Sequence, residues 1–140
     1  FGDSVASIRQ NGDTYGRAWI SNQKAGATVS TCSGVGTGGT CTLETGSNDG
    51  TGTIVITAGT SPSVAGGAIA LSFSAAVGAH SGACFLQTAG GSATWAAGSS
   101  LNISAQSTSS VSFFWLNGPP TGTSLTTGST YKINYFCAAH

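Results

Sequence analysis

The residues of this chain best placed to do chemistry are its four cysteines, Cys32, Cys41, Cys84 and Cys137. Cys32 and Cys41 flank the glycine-rich run SGVGTGGT, a spacing suited to closing a hairpin loop, and Cys84 and Cys137 fall at the ends of two expected strands. Four cysteines allow three pairings, and spacing favours Cys32–Cys41 with Cys84–Cys137. Each such link stabilises a small domain by about 2–4 kcal/mol. The competing use of these residues is as small buried hydrophobes. A third use is metal binding: His80-x-x-x-Cys84 and Cys137-x-x-His140 offer two imidazole nitrogens and two thiolates, a tetrahedral zinc set. Neither spacing is the short Cys-x-x-Cys knuckle, so neither a metal nor a cofactor is expected.

Catalysis needs titratable groups that converge. After residue 25 the only carboxylates are Glu44 and Asp49, separated by Thr-Gly-Ser-Asn; a paired acid and base is geometrically conceivable there and has no other support. A Ser/His/Asp set can be assembled from any chain this rich in serine, so its presence carries no information. Gly36-Thr37-Gly38-Gly39 is not followed by a helix, which a phosphate cradle requires. The expectation is a protein that is not an enzyme.

Binding is better supported. Trp95, within GGSATWAAGSS, lacks the alternating apolar neighbours of a core strand. With Asn102 and Gln106 it offers a sugar-binding surface, the indole stacking on a pyranose while amides hold hydroxyls. The competing use of Trp95 is packing at a subunit interface, where aromatics are equally enriched, and it is the favoured one. The sequon Asn102-Ile103-Ser104 lies inside an expected strand and matters only in a eukaryotic secretory context.

The elements that must position these residues are strands. Charged residues make up 6% of the chain and the formal net charge is zero, where roughly 25% charged is usual. Such a surface has nothing to draw nucleic acid or an anionic membrane, and little repulsion to keep copies apart. No apolar run approaches the roughly 18 residues of a membrane-spanning helix, so no membrane insertion is expected. Five of the eight charged residues lie in the first 24 positions, which places a boundary near residue 25. Residues 1–25 are expected to be an extended segment, with an Asn11-Gly12-Asp13 turn and apolar Ile8, Tyr15, Trp19 and Ile20 that need cover from the main domain or from sister chains. A chain that opens at Phe1 without an initiator Met reads as cut from something longer.

From residue 26 to 140 the pattern is strands and turns throughout. Expected strands are Ala27–Cys32, Thr40–Glu44, Thr53–Thr57, Ala68–Ser74, Ala83–Thr88, Leu101–Ala105, Val111–Leu116 and Tyr131–Cys137. In GTIVITAGTSPSVAGGAIALSFS, Ile54 and Ile56 share a face, and Ile69, Leu71 and Phe73 alternate with small residues, the period of two of a half-buried sheet. In VSFFWL both faces are apolar, which marks a central strand, or one whose second face, with Phe114, a neighbouring subunit covers. Eight short strands divided by Gly/Ser/Pro turns predict an all-β fold, an antiparallel β-sandwich of jelly-roll type.

Three stretches together carry a family resemblance. The run G-x-I-x-[IV]-x-x-G-[ST]-x-P maps to Gly52–Pro62, an aliphatic strand ending in Phe maps to Ile69–Phe73, and a closing [ST]-[ST]-Y-x-x-N-Y maps to Ser129–Tyr135. In these the chain resembles, from Ala27 to Cys137, the C-terminal β-sandwich modules of phage tail fibres and other virion appendage proteins. The opening segment is similar to the end of a fibre shaft in which three chains wind together. The resemblance implies a homotrimeric, non-enzymatic virion component, extracellular when mature, acting as a fibre tip or capsid decoration, with other virion proteins and a host surface glycan as partners. The four cysteines and the Trp-rich middle depart from the usual pattern. Two rivals stay open: an extracellular bacterial carbohydrate-binding module, and a surface filament subunit whose first segment completes a neighbour's sheet.

Overall fold

The computed structural model describes residues 26–74, 84–107, 109–118 and 122–137. The expected extended segment over residues 1–25, with Ile8, Tyr15, Trp19 and Ile20, lies outside the described residues, as do His80 and His140. The described chain is all strand and loop: β1 (Thr28–Cys32), β2 (Thr40–Leu43), β3 (Thr51–Thr57), β4 (Gly67–Ser72), β5 (Cys84–Ala89), β6 (Ser100–Gln106), β7 (Ser110–Leu116) and β8 (Thr130–Cys137). Each of the eight matches an expected strand within two residues at either end. The cause is local: β-branched and aromatic residues alternate with small polar ones, and glycines interrupt every run before a helix could form.

The strands make two four-stranded antiparallel sheets, ordered β1-β4-β7-β6 and β2-β3-β8-β5. The alternation puts one face of each sheet inside. Ile69, Leu71, Val111, Phe113 and Trp115 come from the first sheet, and Ile54, Ile56, Tyr131, Ile133 and Tyr135 from the second; all are buried. The molecule is therefore a β-sandwich. Its order contains two hairpins, β2–β3 and β6–β7, one in each sheet, and every other connection crosses between sheets. That order does not establish the jelly-roll form of the expectation. It has instead an internal symmetry: adding four to each strand number, cyclically, turns the first sheet into the second read backwards. The fold is two copies of one topological unit, β1–β4 and β5–β8, each a hairpin in one sheet held between two paired strands of the other.

The sandwich is polar end to end. The pairing of Cys32 with Ile69, and of Thr40 with Thr57 and Thr57 with Thr130, puts the 33–39, 58–66, 90–99 and 117–129 connections at one end. The chain enters β1 at the opposite end, where β8 also finishes. Backbones at the loop end approach so closely that side chains have no room. Gly66 has φ +75°, and a Cβ there would lie 1.9 Å from the Trp115 carbonyl oxygen; Gly122, at φ +76°, would meet the Val64 carbonyl oxygen at 1.8 Å. Both need the left-handed region and the missing side chain at once.

The two long sides of a sandwich expose sheet edges, which must be managed. On one side β1 and β2 are joined by Cys32–Cys41, a covalent link between the sheets. On the other, β5 and β6, the 90–99 connection folds Trp95 against the core. Both edge strands of the first sheet, β1 and β6, also carry a register shift, between Val29 and Thr31 and between Ile103 and Ala105. Such bulges twist an edge away from further pairing.

Candidate functional site

The cysteines form two disulfides, Cys32–Cys41 and Cys84–Cys137, the pairing that spacing favours. Cys84 and Cys137 are direct register partners on β5 and β8, both pointing into the core. Their sulfurs are bonded to each other, which removes the thiolates of the conceivable zinc set. Among the described residues no three His, Cys, Asp or Glu side chains gather as metal ligands would.

The carboxylates do not act as a pair either. Glu44 is exposed and forms a salt bridge with Lys132 on the outer face of the second sheet. Asp49 is buried to 1% exposure and accepts from the Ser74 backbone N–H at 3.2 Å and from the Ser74 hydroxyl at 2.9 Å. It anchors the β2–β3 loop to the end of β4. Its neighbour Asn48 closes the turn, its Oδ1 accepting from the N–H groups of Gly50 and Thr51. The Tyr135 hydroxyl donates to the Asn48 carbonyl at 2.5 Å. Burial, and secondarily the negative charge of Asp49, push the Tyr135 pKa up to about 12, against a smaller lowering from a hydrogen bond with Ser47.

Trp95 has a role that its sequence neighbours do not announce. Its ring meets Tyr131 edge to face at 5.3 Å and Trp115 at 6.1 Å, and its indole N–H donates to the Lys132 carbonyl at 2.9 Å. It closes its own domain's core, with one edge left beside a shallow depression lined by Thr88, Ala89, Gly90 and Thr94. Asn102 is exposed on the outer face of the first sheet, opposite Phe114. Gln106 pairs with the buried Val111, beyond the β6 bulge. The structure therefore does not gather Trp95, Asn102 and Gln106 into one surface.

What the outer faces do gather is different. The first sheet leaves Phe114 56% exposed, as the two apolar faces of VSFFWL anticipated. The second leaves Phe85 at 64% and Phe136 at 40%, register partners on β5 and β8. These rings border a groove of about 400 Å³, lined also by Thr51, Thr53, Gln87 and Asn134. Across the sheet Thr53, Asn134 and Gln87 form one row, and Thr51, Phe136 and Phe85 the next. The Thr53 hydroxyl donates to Asn134 Oδ1 at 2.9 Å, which fixes the oxygen of that amide as the acceptor and its nitrogen as the donor end.

No family model, curated protein or solved structure matches this chain.

Two residues that sequence reasoning passed over organise the loop end. Asn117 is buried, its Oδ1 accepting from the Ala96 N–H at 2.7 Å and the Ser99 hydroxyl at 3.1 Å, while its Nδ2 donates to the Thr123 carbonyl. Leu125, at 2% exposure, plugs the core beneath. The signal for Asn117 was an amide beside Gly118-Pro119-Pro120, in a turn that needs its own hydrogen bonds. Phe85 and Gln87 gave no signal beyond their alternation in CFLQTA; only the β5–β8 register brings them beside Phe136 and Asn134.

Proposed function

We propose that this chain is a non-enzymatic structural and binding module of a virion, a trimeric fibre tip or capsid decoration. The observation that carries this reading is the phenylalanine exposed on the outer face of each sheet of an almost uncharged sandwich: Phe114 on one and Phe85 on the other. Large apolar side chains on faces with little charge are what assembly with copies or attachment to a surface requires. The polarity of the domain fits the same reading, because the chain enters at one end and the long loops gather at the far end. The resemblance of Gly52–Pro62 and Ser129–Tyr135 to fibre modules supplies the virion setting. Two disulfides suit an oxidising, extracellular location.

The test is native mass spectrometry of the intact chain, with and without reductant. The expected result is a species of three times 13.7 kDa that survives mild detergent. A monomer that binds glycan would favour the carbohydrate-binding module, for which the Phe85 groove is the specific support. A concentration-dependent ladder would favour a strand-exchanging filament subunit.

A further inference from the structure

We infer that the groove on the outer face of β3, β8 and β5 is a binding site for a neutral saccharide, with Phe85 as its stacking platform. The inference deepens the reading of the chain as a binding module and rests on it. The groove joins the two kinds of group that sugar recognition needs. Phe85, 64% exposed and in cross-strand register with Phe136, presents ring surface to the apolar C–H face of a pyranose. Beside them Asn134, Gln87, Thr51 and Thr53 supply neutral amide and hydroxyl groups, each able to serve the paired donor and acceptor of a sugar hydroxyl. The Thr53 to Asn134 hydrogen bond fixes one of these amides in advance, which lowers the ordering cost of binding.

Charge narrows the ligand. None of the side chains lining the groove is ionisable at neutral pH, and the nearest charges on that face, Lys132 and Glu44, are bound to each other. Among the described residues no cation lines the groove to meet a sialylated or sulfated glycan, which favours an uncharged occupant. A volume of about 400 Å³ lies at the lower end of the range for small-molecule sites, enough for one or two sugar rings. An open site of this kind binds weakly, and linking three copies in one particle raises the avidity without any new contact.

The experiment titrates the intact, isotope-labelled chain with N-acetylglucosamine trisaccharide, maltotriose and cellotriose, and with sialyllactose as the charged control, reading amide chemical shifts. At least one neutral probe is expected to bind in the millimolar range, moving the amides of Thr51, Thr53, Gln87 and Asn134, with sialyllactose weaker. Phe85→Ala and Gln87→Ala should each weaken that binding, the first by about tenfold or more, while Val64→Ala, at an exposed position in the 58–66 connection away from the groove, leaves it unchanged. Both side chains are exposed, and circular dichroism verifies that the variants fold. The proposal fails if no neutral probe binds at millimolar concentration, if Val64→Ala weakens binding as much as Phe85→Ala, or if Phe85→Ala dissociates the oligomer, since the groove would then be a subunit contact. Native mass spectra of the same samples separate the two readings: an intact trimer without binding overturns the groove alone, and a binding monomer overturns the trimer alone.

Discussion

The hydroxyl of Tyr135 couples the core to the β2–β3 loop, and its ionisation sets an alkaline limit on the fold. It is buried, donates to the Asn48 carbonyl and sits near Asp49, so its pKa is raised from 10.0 to about 12. In the unfolded chain the phenol loses its proton near pH 10, while the folded chain still holds it. Between those values the native state binds more protons than the unfolded one, so stability falls as pH rises, by about 1.4 kcal/mol per pH unit at most. Below pH 10 this group contributes no slope. Urea denaturation at a series of pH values should show the loss between pH 10 and 12, and Tyr135→Phe should flatten it. Trp95 makes the second prediction at this scale. As a core-closing residue with a satisfied N–H, its replacement by Ala should cost about 2–4 kcal/mol, read from the urea midpoint. A Trp serving only a sugar or a partner chain would leave the monomer's stability untouched. The sequence could not show this, because Trp95 lies in a Gly/Ala/Ser loop without periodicity and reaches Tyr131 and Trp115 only through tertiary folding. Trp115 itself shows what a crowded core tolerates: its indole N–H is, among the described residues, the buried side-chain donor left without a hydrogen-bond partner.

At the scale of elements, alternation was a sufficient guide to the strands but silent on how they pair. Ile54, Ile56, Ile69, Leu71, Tyr131 and Ile133 all face inward as their period of two required, since a one-residue slip would bring every one of them to the surface. Strand order has no comparable local cause. β3 and β4 are joined by a nine-residue connection and yet sit in different sheets, because the glycines at 59, 66 and 67 let the chain cross the end of the sandwich in close backbone contact. That account is testable by a pair of substitutions. Gly66→Ala puts a Cβ 1.9 Å from the Trp115 carbonyl oxygen in a left-handed backbone, whereas Gly46→Ala meets the same backbone penalty, at φ +93°, with nothing within 4 Å. The second should cost about 1–2 kcal/mol and the first clearly more, enough to prevent folding if the loop cannot shift. The disulfides differ in the same measurable way. Cys84–Cys137 closes a loop of sequence separation 53 and Cys32–Cys41 one of 9. Loop-closure entropy then makes the longer link worth about 1.5 kcal/mol more. Replacing each pair by Ala and comparing urea midpoints checks the difference.

For the whole molecule the decisive property is how little charge it carries. Eight charged residues in 140, summing to zero, leave the domain neither self-repulsion nor an electrostatic handle on a partner. Among the described residues the one salt bridge, Lys132–Glu44, joins a half-buried lysine to an exposed glutamate and is worth no more than about 1 kcal/mol. Cohesion within a copy comes instead from the two inner faces, and cohesion between copies, on the reading proposed here, from the outer face that carries Phe114. Salt separates this account from an electrostatic one. Apolar contacts are unaffected or strengthened by salt, above all by sulfate, whereas contacts between charges weaken once the Debye length falls to about 3 Å at 1 M. The oligomer mass measured by light scattering should therefore hold or rise from low salt to 1 M sodium sulfate. Dissociation over that range would mean that ion pairs join the subunits, and the exposed phenylalanines would need another explanation. The same series run on Phe114→Ser assigns the contact to a face: loss of the oligomer at every salt concentration places the joint on the β1-β4-β7-β6 sheet and leaves the Phe85 groove open to ligand.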